Sequence, residues 1–342
     1  MKNKLIKFIG YALLLSFAAF LLLIFLPRHY NIPELQKRPG TQYLNLSTGS
    51  RIGYTLVAAK GIKKPYPVIY LHGGPGGAIS DRVIQSLSPL ADDGYDVYLY
   101  DQIGGGQSGR LETINEYTPE RHVRDLEEII NETGAEKVIL IGQSWGSILA
   151  VLFAADHAEQ IEKIVFTSPG PVYPVRQELA SIKAPDSFHL RAPYFSNAQG
   201  NEKANTIRSE AMTFCATHFG KKLAGDKEAD AFADYVSYEV NKSTVCDTSK
   251  ILPLAEGSGF YAGIVTFNNL LDVEDPRPKI KHCAIAVLVM KGTCDNQKWG
   301  YTHEYIDLFP NHQLVIIPGA GHFISLEQPE LYLQTIRNFI NK

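Results

Sequence analysis

Four aliphatic residues, Val138-Ile139-Leu140-Ile141, run directly into Gly142-Gln143-Ser144-Trp145-Gly146, and these into the small, helix-compatible stretch Ser147-Ile148-Leu149-Ala150-Val151. The first run reads as a buried strand and the last as a helix, so the pentapeptide between them is a sharp strand-to-helix turn with a serine at its apex. Glycines flank the serine because a Cβ would clash in so tight a turn. A chain carrying this unit needs a sheet of buried strands with helices laid on it.

The pattern from Thr41 onward agrees. Two hairpin-like strands, Tyr43–Leu46 and Arg51–Val57, are joined by Ser47-Thr48-Gly49-Ser50, and buried-strand runs follow at Val68–Leu71, Val97–Tyr100, Val138–Ile141 and Ile164–Phe166, separated by helical stretches. This order predicts an α/β fold with mostly parallel strands. From Pro169 to about Pro278 the chain turns polar and helical, and strands return at Ala284–Met290 and Leu314–Ile317 before a closing helix at Gln328–Ile340. We therefore expect a terminal segment over 1–30, a core over 31–169 and 279–342, and an inserted helical cap over 170–278. With 342 residues, 45% of them hydrophobic and 20% charged, the chain has material for a sizeable core. A formal net charge of −3 without any basic run argues against nucleic acid as a partner.

The first thirty residues stand apart. Phe8 to Leu26 is uncharged and long enough, as a helix, to cross the roughly 30 Å hydrocarbon layer of a bilayer. Lys2, Lys4, Lys7 and the amino terminus precede it, so the positive-inside rule sends everything after Pro27 to the non-cytoplasmic side, periplasmic or extracellular. Secretion after cleavage of a signal peptide is the alternative, with Ser16-Phe17-Ala18 as a cleavage site, but cutting there would leave Phe20 to Leu26 as a bare apolar head. An uncleaved anchor accounts for the segment better.

A serine hydroxyl needs a base and an acid to orient that base. In the chain order that goes with this turn, the acid and then the histidine follow the serine. His322 lies in the glycine-bounded Pro318-Gly319-Ala320-Gly321-His322, just after a late strand, and Asp295 follows the Ala284–Met290 strand through Lys291-Gly292-Thr293-Cys294. Asp272, Glu274 and Asp275 compete for the acid role but do not follow a strand. Directly after Val68–Leu71 comes His72-Gly73-Gly74-Pro75-Gly76-Gly77, a turn whose backbone can approach a reacting oxygen. The N–H groups of Gly74 and Trp145 are the expected oxyanion donors. Gly104-x-Gly106-x-x-Gly109 formally matches a dinucleotide fingerprint, but it comes two strands late and no helix follows it directly, so its work is structural, with Asp101 bonding loop amides beside the site. The four cysteines have no C-x-x-C spacing, which argues against a structural metal.

His72–Gly77, Asp101–Ser108, Gly142–Ser147, Asp295 and His322, in this order, resemble the proline iminopeptidase family of α/β-hydrolases, whose motifs read HGGPGG, DQxGxGxS and GxSWGS. The resemblance covers the chain from about Tyr43 to the C-terminus. It implies an eight-stranded sheet with a helical cap between strands six and seven, no cofactor, and release of an N-terminal residue, typically proline, from a small peptide. Two departures bear on the substrate. Ile103 stands where the family has the arginine of DQRG, and the late cap stretch Gly259–Phe267 carries neither acid nor tryptophan. Glu239 is the replacement we single out for an amine anchor. An esterase or amidase acting on a small ester or amide without a free amine is the alternative. In an oxidising compartment Cys215 and Cys246, both in the cap, are the expected disulfide, with Cys283 and Cys294 free. The cap aromatics Phe214, Phe232, Tyr235, Tyr238, Phe260, Tyr261 and Phe267 are expected either to wall a pocket or to pack the cap.

Overall fold

A computed structural model describes residues 2–281 and 283–342, with the side chains of Lys2 and Asn3 excepted. The amino-terminal charge on Met1 and the Lys2 side chain, invoked above for topology, lie outside the described part. The strands are β1 (Gln42–Asn45), β2 (Arg51–Val57), β3 (Val68–Leu71), β4 (Val97–Tyr100), β5 (Val138–Gln143), β6 (Ile161–Thr167), β7 (Ala286–Gly292) and β8 (His312–Ile317). They form one eight-stranded sheet in the order β1-β2-β4-β3-β5-β6-β7-β8. The first two join as an antiparallel hairpin, β2 runs antiparallel to β4, and every pairing from β4 to β8 is parallel.

The helices are α1 (Lys2–Phe25), α2 (Asp81–Leu87), α3 (Pro119–Thr133), α4 (Trp145–His157), α5 (Asn197–Ala204), α6 (Ile207–Phe219), α7 (Asp226–Val240), α8 (Phe260–Asn269), α9 (Arg277–Ile280), α10 (Trp299–Leu308), α11 (Ile324–Glu327) and α12 (Pro329–Ile340). Alternation along β5 explains why the sheet is covered twice. Val138 and Leu140 join the core that includes Leu126 of α3, Phe153 of α4 and Tyr305 of α10, whereas Ile139 and Ile141 join the core with Leu87 of α2 and Ile336 of α12. Successive strand residues point to opposite faces, so a strand that is apolar at every position must be buried on both. α3 starts where Thr118 accepts from the Arg121 N–H and Pro119 takes the first helical position, and it stops at Gly134, whose φ of 68° is left-handed.

Between β6 and β7 the chain builds α5 to α8, which pack on one another and close over the carboxyl edge of the sheet. Phe232, Phe260 and Tyr261 are buried among themselves, with ring centroids 5.7 and 5.2 Å apart. Phe214 and Phe267 are exposed. The cap aromatics therefore serve mainly as its packing core, and of the seven only Tyr238 reaches the cavity described below.

The disulfide joins Cys246 to Cys294, with Cα atoms 5.5 Å apart, and Cys215 and Cys283 are free. This corrects the expected Cys215–Cys246 pair. Cys215 sits within α6, whereas the chain leaving α7 drops through Asn241–Thr244 onto the sheet edge, where the Thr244 carbonyl accepts from the His322 N–H at 2.6 Å. That descent delivers Cys246 to the loop after β7. The bridge spans 48 residues of sequence, and closing such a loop stabilises a fold by about 2 to 4 kcal/mol. Cys294→Ser should lower the stability by that amount, with a lower thermal midpoint, and the wild type should lose the same on reduction. An unchanged midpoint in both would show the bridge to be absent in solution.

Candidate active site

Ser144 sits between the end of β5 and the first residue of α4 with φ 52° and ψ −113°, a conformation that costs a non-glycine residue free energy. The surroundings hold it there. Its N–H donates to Thr167 O at 3.1 Å. A Cβ at Gly142 would strike the Gly146 carbonyl and one at Gly146 would strike Leu71 O, so both flanking glycines are required by contact with backbone. Trp145, as the first residue of α4, has an N–H without a partner inside the helix.

β7 and β8 end side by side, and the loops that follow them carry Asp295 and His322. His322 Nδ1 lies 2.9 Å from Asp295 Oδ1. The other carboxylate oxygen receives Lys291 Nζ at 3.0 Å, and Gln297 N–H donates to Oδ1 at 3.0 Å. Burial alone would raise the Asp295 pKa. The Lys291 ammonium, His322 and the Gln297 N–H outweigh it and hold the carboxyl well below the usual aspartate range, so Asp295 is an anion. Lys291 is itself buried and also donates to Gln297 O at 2.8 Å. Glu327 fixes the histidine loop to the cap, since its carboxylate accepts from the N–H groups of Gly321, Cys246 and Asp247 at 2.6 to 3.0 Å.

The turn after β3 passes over the serine. A Cβ at Gly73 would meet the side chains of Gln143 and Ser144. His72 anchors this turn. Burial lowers its pKa, so the ring is neutral, and because Nε2 accepts from the Gln102 N–H at 2.9 Å, Nδ1 carries the proton and donates to Gly73 O at 2.8 Å. The Gln102 side chain bridges the two halves of the site, donating to His72 O at 3.1 Å and accepting from Trp145 Nε1 at 2.7 Å. Asp101 takes the N–H groups of Ile79 and Gln107 and the Arg38 guanidinium at 2.7 to 3.1 Å.

Ser144, His322, Gly73 and Gly74 line one cavity of about 300 Å³. Its cap wall includes Asp234, Ser237, Tyr238 and Asn241, which fall on one face of α7 and its extension at three- and four-residue spacing. Glu239 is off that face. Its buried carboxylate is taken up by Lys242 at 2.6 Å and Lys203 at 2.9 Å, so it is not available as the amine anchor for which it was singled out. The carboxyls that reach the cavity are Asp234 and Glu256. Burial raises the pKa of Asp234 against hydrogen bonds from the N–H groups of Ser258 and Gly257. Glu256 is exposed at the rim of the cavity, and the atoms crowded around it and then the charge of Asp234 raise its pKa, against Arg82. Among the described residues no His, Cys, Asp and Glu side chains group to hold a metal ion.

Sequence reading missed Lys291, Glu327, Asp234 and Glu256. A lysine closing the apolar run Val287–Met290, four residues before an aspartate, was a usable sign of a buried pair. Nothing comparable marked Glu256.

Against known proteins, residues 66–329 match the α/β hydrolase fold family. The proline iminopeptidase of Xylella fastidiosa is 36% identical over 280 residues, covering 75% of this chain and 83% of that protein. That of Heyndrickxia coagulans is 25% identical over 297 residues, covering 86% and 96%. Among solved structures, an esterase from Thermogutta terrifontis superposes with a TM-score of 0.60 at 18% identity over 88% of this chain and 98% of its own, and a proline iminopeptidase from Mycobacterium smegmatis with 0.57 at 19% over 88% and 97%. The two structures share the fold with this protein. With a matching family over most of its core and relatives that align over most of their length, the chain belongs to the proline iminopeptidase family of α/β-hydrolases.

Proposed function

We propose that the protein is a membrane-tethered serine hydrolase that releases the N-terminal residue of a peptide through an acyl-enzyme. The observation that carries this reading is that Ser144, strained at its turn, and the His322–Asp295 pair open onto one cavity whose far wall bears two carboxyls. Ser144 Oγ attacks the carbonyl of the first residue while His322 Nε2 takes its proton. Asp295 holds the Nδ1 proton and stabilises the imidazolium. The negative oxygen of the tetrahedral intermediate lies between the N–H groups of Gly74 and Trp145. His322 then protonates the leaving amine, and water hydrolyses the ester by the same steps in reverse order.

Asp234 and Glu256 act on the substrate's free ammonium. The charge of Asp234 raises the cost of ionising Glu256, and an ammonium between them relieves that repulsion. Glu256→Gln is therefore expected to raise KM for a prolyl-arylamide about tenfold, or roughly 1.4 kcal/mol, and to leave a p-nitrophenyl ester unchanged. Equal small effects on both substrates would favour the esterase or amidase reading. The α1 segment, with Phe8–Leu26 uncharged and exposed, supports an anchor, and the Cys246–Cys294 bridge supports an oxidising, non-cytoplasmic location for the domain behind it.

A further inference from the structure

The end of α1 is fastened to the cap and not to the sheet. Arg208 of α6, itself buried, donates from Nη1 to Ile24 O at 2.5 Å, meeting a carbonyl that the last turn of α1 leaves unpaired. The same guanidinium is paired through Nε and, at 2.6 Å, through Nη2 with Glu228 of α7, whose carboxylate also accepts from the Arg28 N–H at 2.9 Å. Tyr30 then lays its ring 5.3 Å from Phe232 and 5.8 Å from Tyr235. Within a few residues of leaving α1, the chain is held on α6 and α7.

The face of α6 beside this junction carries a stripe that none of the described residues covers. Ile207, Ala211, Phe214 and His218 follow one another at three- and four-residue spacing, and Phe219 closes the helix with its ring 5.6 Å from that of Phe214. Ile207, Phe214 and Phe219 are 45%, 51% and 63% exposed. Glu210 flanks the stripe, and Lys221 follows the helix at the surface. Large aromatic side chains left in water beside the end of a membrane span are what the interfacial zone of a bilayer accommodates.

We infer that α6 docks on the lipid bilayer, with Ile207, Phe214 and Phe219 inserted at the boundary of headgroups and acyl chains. The inference rests on α1 being a membrane span. The occupant is lipid because the apolar helix α1 is continuous with this face, and Arg208 of α6 reaches it through a hydrogen bond. Docking fixes the cap, which bears Asp234, at the membrane surface.

The test uses the full chain in vesicles of phosphatidylethanolamine and phosphatidylglycerol with brominated acyl chains. Phe214→Trp and Phe219→Trp add reporters to the buried Trp145 and Trp299, and Ile62→Trp, in the loop before β3 at the opposite edge of the sheet, is the control. Docking predicts bromine quenching of the added tryptophan at 214 and 219 about twofold or more above that at 62. Carbonate extraction is run on the same vesicles. Retention with equal quenching at all three positions overturns the docking and leaves the anchor standing. Release by carbonate overturns the anchor and the docking with it. Loss of quenching at 214 with cross-linked dimers through α6 would assign the stripe to a second copy and overturn the inference.

Discussion

Ser144→Ala is expected to lower kcat by about 10⁶ and to abolish covalent labelling by a fluorophosphonate. The basis is positional. The hydroxyl stands at the apex of a turn whose two glycines are dictated by contact with backbone, in a cavity shared with His322. His322→Ala should be about as severe, and Asp295→Asn should cost about 10⁴, because the carboxylate orients the ring and stabilises its cation without reacting. Ser144→Gly carries a second expectation. It removes the nucleophile but also a side chain from a φ of 52°, and should stabilise the fold by about 1 kcal/mol or more. Labelling that persists in Ser144→Ala, or a larger loss at Asp272 or Asp275 than at Asp295, would overturn the assignments.

Lys291→Met is expected to be the most damaging change at a residue that touches no substrate. It strips one carboxylate oxygen of a fully buried anion of its partner, and breaking a buried pair in this way typically costs about 3 to 5 kcal/mol. The pH dependence follows from the charges. Asp295 is held below its ordinary range, so its contribution to stability is complete above the usual aspartate pKa and is lost as pH falls toward the depressed value. Without the ammonium the carboxyl's pKa rises toward the ordinary value, so this contribution is smaller and its loss is complete at a higher pH. Lys183, His189 and Arg191, which share with Lys291 and Asp295 the cavity behind the acid, are left in place and serve as the constant background. Combining Lys291→Met with Asp295→Asn should restore most of the stability but none of the activity, since replacing both members removes the buried charge altogether. A midpoint in Lys291→Met within error of the wild type would refute the pairing.

Local chemistry was legible wherever a neighbour in sequence imposes it. The strand-to-helix turn at Ser144, the cap of α3 at Thr118-Pro119 and the glycine turn at His72–Gly77 are each set by sterics and hydrogen bonds within a few residues, and they read directly from residue types. The mostly parallel sheet followed from buried runs alternating with helices, because a strand apolar at every position has few other places to go, and the family resemblance implied its eight strands. The match of Asp295 to His322 was also within reach, since parallel strands deliver their following loops to one edge.

What depended on the cap was not legible. Glu239 and Asp234 lie on the same helix five residues apart, and only the rotation of α7 against α5 and α8 turns Asp234 and Tyr238 into the cavity and gives Glu239 to two lysines. Cys246 meets Cys294 because the chain after α7 drops to the sheet edge, a path that helix-to-helix packing determines and residue spacing does not encode. Glu256 owes its raised pKa first to the atoms that the fold crowds around it and then to the Asp234 carboxyl, contributed by another segment. The amino-acid sequence by itself determined the sheet, the turn that exposes Ser144 and the order of the candidate catalytic groups, because each arises from contacts over a few residues or from burial on two faces. Tertiary structure alone decided which acids face the cavity, which cysteines pair and where α1 is fastened, because these are set by how separate helices rotate and dock on one another.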